Sequence, residues 1–153
     1  LHPRVRRQRQ MCIRDRGEMK RYVTDKFCGI LLKKAQEGSR EYALINMGVG
    51  YVNFFAENPH YFTFIYDSQD YSIELTDSTF EGDFEPFRIF KETALRCMEL
   101  NCIPEETYRD NLVIMWAAVH GMAAMANMGG FHYQGDWGAL AEKLLISKVR
   151  LAD

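Results

Sequence analysis

Histidine and cysteine are the side chains of this sequence that could bind a metal or attack a substrate. The cysteine spacing matches no zinc ribbon, zinc finger or CxxC redox pair, and no Cys/His or Ser/His pairing is signalled locally. His120 has no second ligand at a metal-binding spacing, since His60 and His132 are not joined to it by a His-x-x-x-His or carboxylate pattern. We therefore predict no metal ligand, no cofactor and no enzymatic activity. The four cysteines are Cys12, Cys28, Cys97 and Cys102.

His120 lies within an unusual apolar segment, Met115–Gly130, which combines Met, Ala and Gly with a single Trp. A helix over these residues is apolar nearly all round, which indicates burial on several sides. The segment is interrupted by His120 and is too short for a bilayer crossing, which needs about 20 apolar residues. We therefore expect His120 to be a buried structural or pocket residue that hydrogen-bonds a polar partner on a neighbouring helix.

The elements around this segment all show helical periodicity. Apolar residues recur at helical spacing in the first helix, where Tyr22, Val23 and Phe27 are expected to face inward. Asn58 and Pro59 are an N-cap and first-turn pair that ends one helix and begins another. The acidic segment Asp67–Glu85 shows no sustained period and is predicted to be a loop, with or without a helical turn, that is poorly ordered or loosely packed around Asp70–Asp83. The fold class is therefore all-α, a bundle of about six helices predicted over 18–34, 41–57, 59–67, 85–101, 105–128 and 137–151.

Residues 1–16 form an arginine-rich segment that precedes the first apolar period. A disordered tail that contacts phosphates, a solvated tail without a partner and a non-native sequence are three interpretations of it. We favour the third, because the stretch QMCIRDR resembles a translated adapter junction, and we expect the segment to be extended. The domain proper is then 17–153. The net charge of −2, the absence of a signal peptide and the cysteine usage predict a reduced, cytoplasmic protein.

Two motifs occur together in the chain: Trp116, His120 and Gly121 on the long penultimate helix, and YVNFFAENPHYFTFIYD over 51–67. The first resembles the signature of the C-terminal effector-binding and dimerisation domain of the TetR/AcrR family of transcriptional regulators, in its Trp-His-Gly variety. The second is similar to that family's junction of two aromatic-rich helices. The resemblance covers residues 18–153.

The resemblance implies a small-molecule effector that is partly apolar and binds between the helices. Aromatic residues and Met with a few polar groups suit such a ligand, although the same residues could simply fill the core. The candidate ligand-binding residues are Tyr51, Phe54, Phe55, Tyr61, Phe62, Phe64, Met115, Trp116 and His120.

The penultimate and last helices cannot both bury all their apolar faces within one short chain, so we expect a homodimer built as a four-helix bundle. The resemblance implies DNA binding only through a helix-turn-helix, and because this chain shows no such segment we expect it to be a fragment. A stand-alone helical interaction module without DNA binding is the alternative. The candidate interface residues are Ala117, Gly121, Ala124, Leu140, Leu144 and Leu145.

Overall fold

A computed structural model describes the backbone of residues 3–67, 71–76 and 80–149, and the side chains of 12–67, 71–76 and 81–147. The fold is all-α, as predicted, with six α-helices in the described part of the chain. The helices are α1 (Pro3–Ala35), α2 (Ala43–Glu57), α3 (Pro59–Tyr66), α4 (Glu85–Leu100), α5 (Tyr108–Ala126) and α6 (Trp137–Val149). Short 3-10 turns, Arg40–Tyr42 and Glu105–Thr107, precede α2 and α5.

The central element is α2, which packs against α1, α3, α4, α5 and α6. Gly48 and Gly50 of this helix allow close approach of its neighbours. A Cβ atom on Gly48 would collide with the side chain of Leu145 on α6 and would lie 3.1 Å from Cγ1 of Val119 on α5. The missing side chain of Gly48 therefore allows α5 and α6 to approach α2 closely.

The extent of α1 differs from the prediction. The helix begins at Pro3, so the expectation of an extended segment over residues 1–16 was wrong for residues 3–16. Arginine and glutamine are good helix formers, and neither Gly nor Pro occurs between positions 4 and 16. Tyr22, predicted to face inward, is 59% exposed, whereas Val23 and Phe27 are fully buried. Tyr22 precedes Val23 by one position and therefore points about 100° away from it around the helix.

The junction between α2 and α3 forms at the predicted residues but by a different contact. Pro59 occupies the first turn of α3 as expected. Asn58 occupies the N-cap position of α3, as expected, but its side chain does not cap that helix. Its side chain makes no capping hydrogen bond there, and its Nδ2 instead donates to the carbonyl of Phe54 at 2.8 Å. Asn58 therefore stabilises the end of α2.

The acidic segment contains a short antiparallel hairpin, which corrects the prediction of a loop without strands. Strand β1 (Ile73–Leu75) pairs with β2 (Phe80–Gly82), with Ile73 opposite Gly82. The backbone N–H of Ser72 donates to the Asp83 carboxylate at 2.6 Å and closes the open end of the hairpin. Three-residue strands are too short for a period of two to be recognised in sequence. Residues 68–70 and 77–79, also in the predicted loop, lie outside the described residues.

The last two helices begin and end near their predicted boundaries. The prediction for the fifth helix began at residue 105, and α5 follows the 3-10 turn there. The backbone N–H of Ala139 donates to the Asp136 carboxylate at 2.9 Å, which caps the first turn of α6. Gly138, Ala141 and Leu145 are buried residues of α6, and Gly138 contacts the side chain of Asn53 on α2.

Candidate functional site: an aromatic cluster around His120

Three polar side chains from three helices meet inside the bundle. The hydroxyl of Tyr51 on α2 lies 2.7 Å from the hydroxyl of Tyr66 on α3 and 2.9 Å from Nδ1 of His120 on α5. Tyr51 can donate one of these hydrogen bonds and accept the other. Partial burial of His120 and its hydrogen bond to a neighbouring helix agree with the role predicted for it. Tyr51, Tyr66 and His120 are called the polar trio below.

Aromatic rings surround the polar trio. The His120 ring centroid lies 4.6 Å from that of Tyr66 and 5.0 Å from that of Phe62. Trp116 makes an edge contact with Tyr51 at 5.4 Å. These distances are typical of favourable aromatic pairs. The polar trio and the rings in contact with it form one continuous ring cluster.

Helical spacing explains how the sequence builds the cluster. Trp116 and His120 are four positions apart and therefore lie on one face of α5. Phe62 and Tyr66 are likewise four positions apart on α3. The turn at Pro59 reverses the chain, so that this face of α3 lies against Phe55 of α2, with the Phe55 and Phe62 rings 5.3 Å apart.

Burial favours the uncharged form of every member of the polar trio. It raises the pKa of Tyr51 and of Tyr66 well above the ordinary value of a phenol. It lowers the pKa of His120, and desolvation is its only resolved cause. All three side chains are therefore neutral at pH 7, and the site offers hydrogen bonds without charge.

Most of the predicted ligand-binding residues belong to this cluster. Phe54 and Tyr61 are linked to it by ring contacts, with centroids 5.8 Å apart. Phe64 is half-buried against the core but makes no ring contact with another described residue. Met115 is buried nearby and lines an apolar void of about 10 Å³, too small to hold a water molecule comfortably. The candidates with ring contacts are Tyr51, Phe54, Phe55, Tyr61, Phe62, Trp116 and His120.

Sequence reasoning missed several members of the cluster. Tyr66 lies in the quoted aromatic motif, four positions after Phe62, so helical spacing alone could have identified it. Tyr71 and Phe84 flank the hairpin and stack with ring centroids 4.4 Å apart. Their position depends on the hairpin, whose three-residue strands are too short to show a period in the sequence. Three further rings were missed: Phe27, Phe87 and Phe90.

A second feature is an apolar row on α5 that lies about 100° around the helix from the face of Trp116 and His120. Its members recur at alternating intervals of three and four positions, the pattern of a helix that packs along a single partner helix. Ile114, at one end of the row, is 49% exposed, and Met128, two positions beyond the last residue of α5, is 57% exposed. A Cβ atom on Gly121 would meet nothing within 4 Å. This row, called the α5 seam, consists of Ile114, Ala117, Gly121, Ala124 and Met128.

The candidate dimer-interface residues of α6 lie on two different faces of that helix. Leu140 is 37% exposed and Leu144 is half-buried. Leu145 is only 2% exposed and packs toward Gly48 and Val119 of its own chain. Its place is therefore in the core, and it does not belong to a surface that a partner could contact.

No group of three or more His, Cys, Asp or Glu side chains within the described residues is arranged to hold a metal ion. Among the helices described, none combines the length and apolar character that a membrane crossing requires.

Comparison with known proteins identifies the family. The profile described as "Tetracyclin repressor-like, C-terminal domain" matches residues 44–147. The chain belongs to this family. Searches of curated proteins and of solved structures each found no match. The matched range of the tetracyclin repressor-like domain contains the polar trio and the α5 seam. Its assignment to the Trp-His-Gly variety stays a prediction.

Proposed function

We propose that this tetracyclin repressor-like domain is the effector-binding and dimerisation part of a bacterial transcriptional regulator, and that its effector is a neutral aromatic molecule. The observation that carries the proposal is the polar trio, a set of uncharged hydrogen-bonding groups enclosed by aromatic rings within the matched range. Ligand sites with a few placed polar groups in an apolar lining have this character.

Helix α3 is the element that would move to admit the effector. Its eight residues include a single buried one, Ile65, whereas α2 has ten buried among fifteen. The rings of the cluster are in contact, so a ligand must replace ring contacts between α3 and the rest of the bundle. Displacing α3 separates the Tyr66 hydroxyl from Tyr51, and a ligand hydroxyl or carbonyl then takes its place.

The charge of the effector follows from the same contacts. Burial and neighbouring tyrosines raise the pKa of Tyr51, and burial lowers the pKa of His120. No Lys, Arg, Asp or Glu among the described residues contributes to either change. A charged group placed beside them would lose its hydration without gaining a counter-ion, which is costly. A neutral ring with one hydrogen-bonding group satisfies Tyr51 or His120 at no such cost.

Fluorescence of Trp116 tests the site directly. The sequence contains two tryptophans, so the Trp137→Phe variant leaves Trp116 as the only one. In that background we expect 4-ethylphenol to change Trp116 emission in a saturable way and 4-ethylbenzoate to leave it unchanged. Adding Tyr51→Phe should weaken the response to 4-ethylphenol, whereas Tyr22→Phe, at an exposed tyrosine, should not. Equal responses to the neutral and charged compounds, or an unchanged response in Tyr51→Phe, would refute this proposal.

The proposed dimer uses the α5 seam together with Leu140 and Leu144 of α6. Exposed apolar side chains gathered on one face are typical of an interaction surface. The small residues of the seam allow a second helix backbone to approach closely. A two-fold interface would place the same row against its own copy. In this proposal DNA contact is made by a helix-turn-helix outside the domain, and the regulator acts in the cytoplasm.

A further inference from the structure

A groove of about 810 Å³ lies between the end of α1, the 3-10 turn Arg40–Tyr42 and α4. None of its lining residues belongs to the polar trio, and it is therefore a separate site from the one proposed above. Its volume is within the range of about 300 to 1,000 Å³ that is typical of small-molecule sites.

The groove has a buried floor and an apolar rim. Ala43, Ile89 and Cys97 form the floor and are buried. The Cys97 thiol donates to the carbonyl of Arg40 at 3.6 Å, which holds the 3-10 turn against α4. On the rim, Leu32 is 48% exposed and Leu100 is 57% exposed. These two leucines offer apolar surface that the chain itself leaves uncovered.

Two arginines line the same groove without a counter-ion. Neither Arg40 nor Arg96 forms an ion pair with another described residue. The nearby Glu92 does not neutralise them, because it pairs with Arg88 at 2.8 Å. The contact between Cys97 and the Arg40 carbonyl brings the backbone of Arg40 close to that of Arg96. Both arginines line the same groove, and no ion pair with another described residue neutralises either of them.

We propose that this groove binds an amphipathic molecule with a single negative charge, such as a medium-chain carboxylate. Its carboxylate accepts hydrogen bonds from Arg40 and Arg96, which suit planar oxyanions. Its apolar chain covers Leu32 and Leu100. Glu99 also lines the groove and has no ion pair with another described residue, so it repels a second negative charge.

Calorimetric titration of the chain with sodium decanoate tests this site. We expect saturable binding of one decanoate per chain and no binding of decyltrimethylammonium at the same concentration. The double variant Arg40→Gln/Arg96→Gln should weaken decanoate binding about tenfold or more, because two charge-assisted hydrogen bonds are lost. The control Arg16→Gln/Arg21→Gln removes the same charge from exposed positions of α1 and should stay within about twofold of wild type.

Further variants separate this proposal from that for the ring cluster. Tyr51→Phe should leave decanoate affinity unchanged, and decanoate should leave Trp116 emission unchanged. Leu100→Ser should weaken decanoate binding, and Glu99→Gln should strengthen it. The proposal is overturned if wild type shows no saturable binding, if the ammonium compound binds equally well, or if the two double variants bind alike. The wild-type selectivity for the anion tests the site even where a variant folds poorly.

Discussion

The hydroxyl of Tyr51 and Nδ1 of His120 form a 2.9 Å hydrogen bond that joins α2 to α5 across 69 positions of sequence. The same hydroxyl also bonds Tyr66. Tyr51→Phe removes both bonds and leaves two polar atoms without their partner inside the bundle. We expect the free energy of unfolding to fall by about 1 to 3 kcal/mol, measured by urea denaturation. Tyr22→Phe is the matched control, and an equal loss in both variants would argue against a structural role for the polar trio.

The pH dependence of stability provides a second prediction, based on His120. Burial lowers its pKa in the folded chain below the value of 6.5 expected in the unfolded chain. As the pH falls, the unfolded chain therefore binds a proton at His120 before the folded chain does. The contribution of His120 to stability is complete above pH 6.5. Stability should decrease as the pH falls from 6.5 toward the folded-state pKa. His120→Gln should reduce that decrease, whereas His60→Gln, at an exposed position, should leave it intact.

Cysteine labelling should divide the four thiols into two pairs. Cys12 and Cys102 are exposed, whereas Cys28 and Cys97 are buried. Burial, assisted by the nearby Glu85 and Asp25 carboxylates, raises the pKa of the Cys28 thiol to about 12, and burial also raises the pKa of Cys97. The thiolate is the reactive form. A disulfide reagent at pH 8 should therefore label two thiols rapidly and the others slowly, and Cys102→Ser should remove one rapid equivalent. Equal labelling rates for all four thiols would contradict the burial of Cys28 and Cys97.

Gly48 should tolerate no side chain. Gly48→Ala would push a methyl group into Leu145 and Val119, and overpacking of this kind costs about 1 to 3 kcal/mol. Gly29→Ala is the matched helical control, because nothing lies within 4 Å of its Cβ position. It should stabilise the chain by about 0.5 to 1 kcal/mol, since alanine favours the helix. Equal thermal shifts in the two variants would show that α2 and α6 are less tightly packed than described.

A charged substitution in the α5 seam tests whether this row forms the proposed dimer interface. Ala117→Arg places a cation on an exposed position, which should leave the fold of one chain intact. In the proposed dimer the same cation would be buried without a partner. Sedimentation should therefore show wild type as a dimer at micromolar concentration and Ala117→Arg as a monomer. Thr63→Arg, an equal charge change on exposed α3, should remain dimeric. A monomeric wild type would contradict the proposed dimer itself.

Hydrophobic periodicity was sufficient to predict the helices and the hydrogen-bonded role of His120. The family resemblance, and not the periodicity, brought Trp116, His120 and the aromatic motif of α2 and α3 into one candidate site. Periodicity could not predict the pairing of Tyr66 with Tyr51, because that contact depends on the angle between α2 and α3. The positions of Tyr71 and Phe84 could not be predicted for a different reason: the strands of the hairpin that places them are too short to show a period.

The two leucines at positions 144 and 145 show a further limit. Both were expected at the dimer interface because each continues an apolar period of the last helix. Adjacent residues of a helix point about 100° apart, so a single surface rarely includes both. Leu145 is the one that packs over Gly48 in the core, whereas Leu144 is half-buried. That preference depends on a glycine almost one hundred positions earlier, which the period of α6 cannot reveal.

Trp116 and Ala117 are neighbours in sequence, one in the ring cluster and the other on the α5 seam. A rigid helix cannot shift one of these surfaces without shifting the other. Ligand affinity and self-association are then thermodynamically reciprocal: a molecule that strengthens the dimer by some factor must itself bind the dimer more tightly by that factor. In the proposed dimer, the apparent affinity for the proposed effector would therefore vary with the concentration of the chain itself.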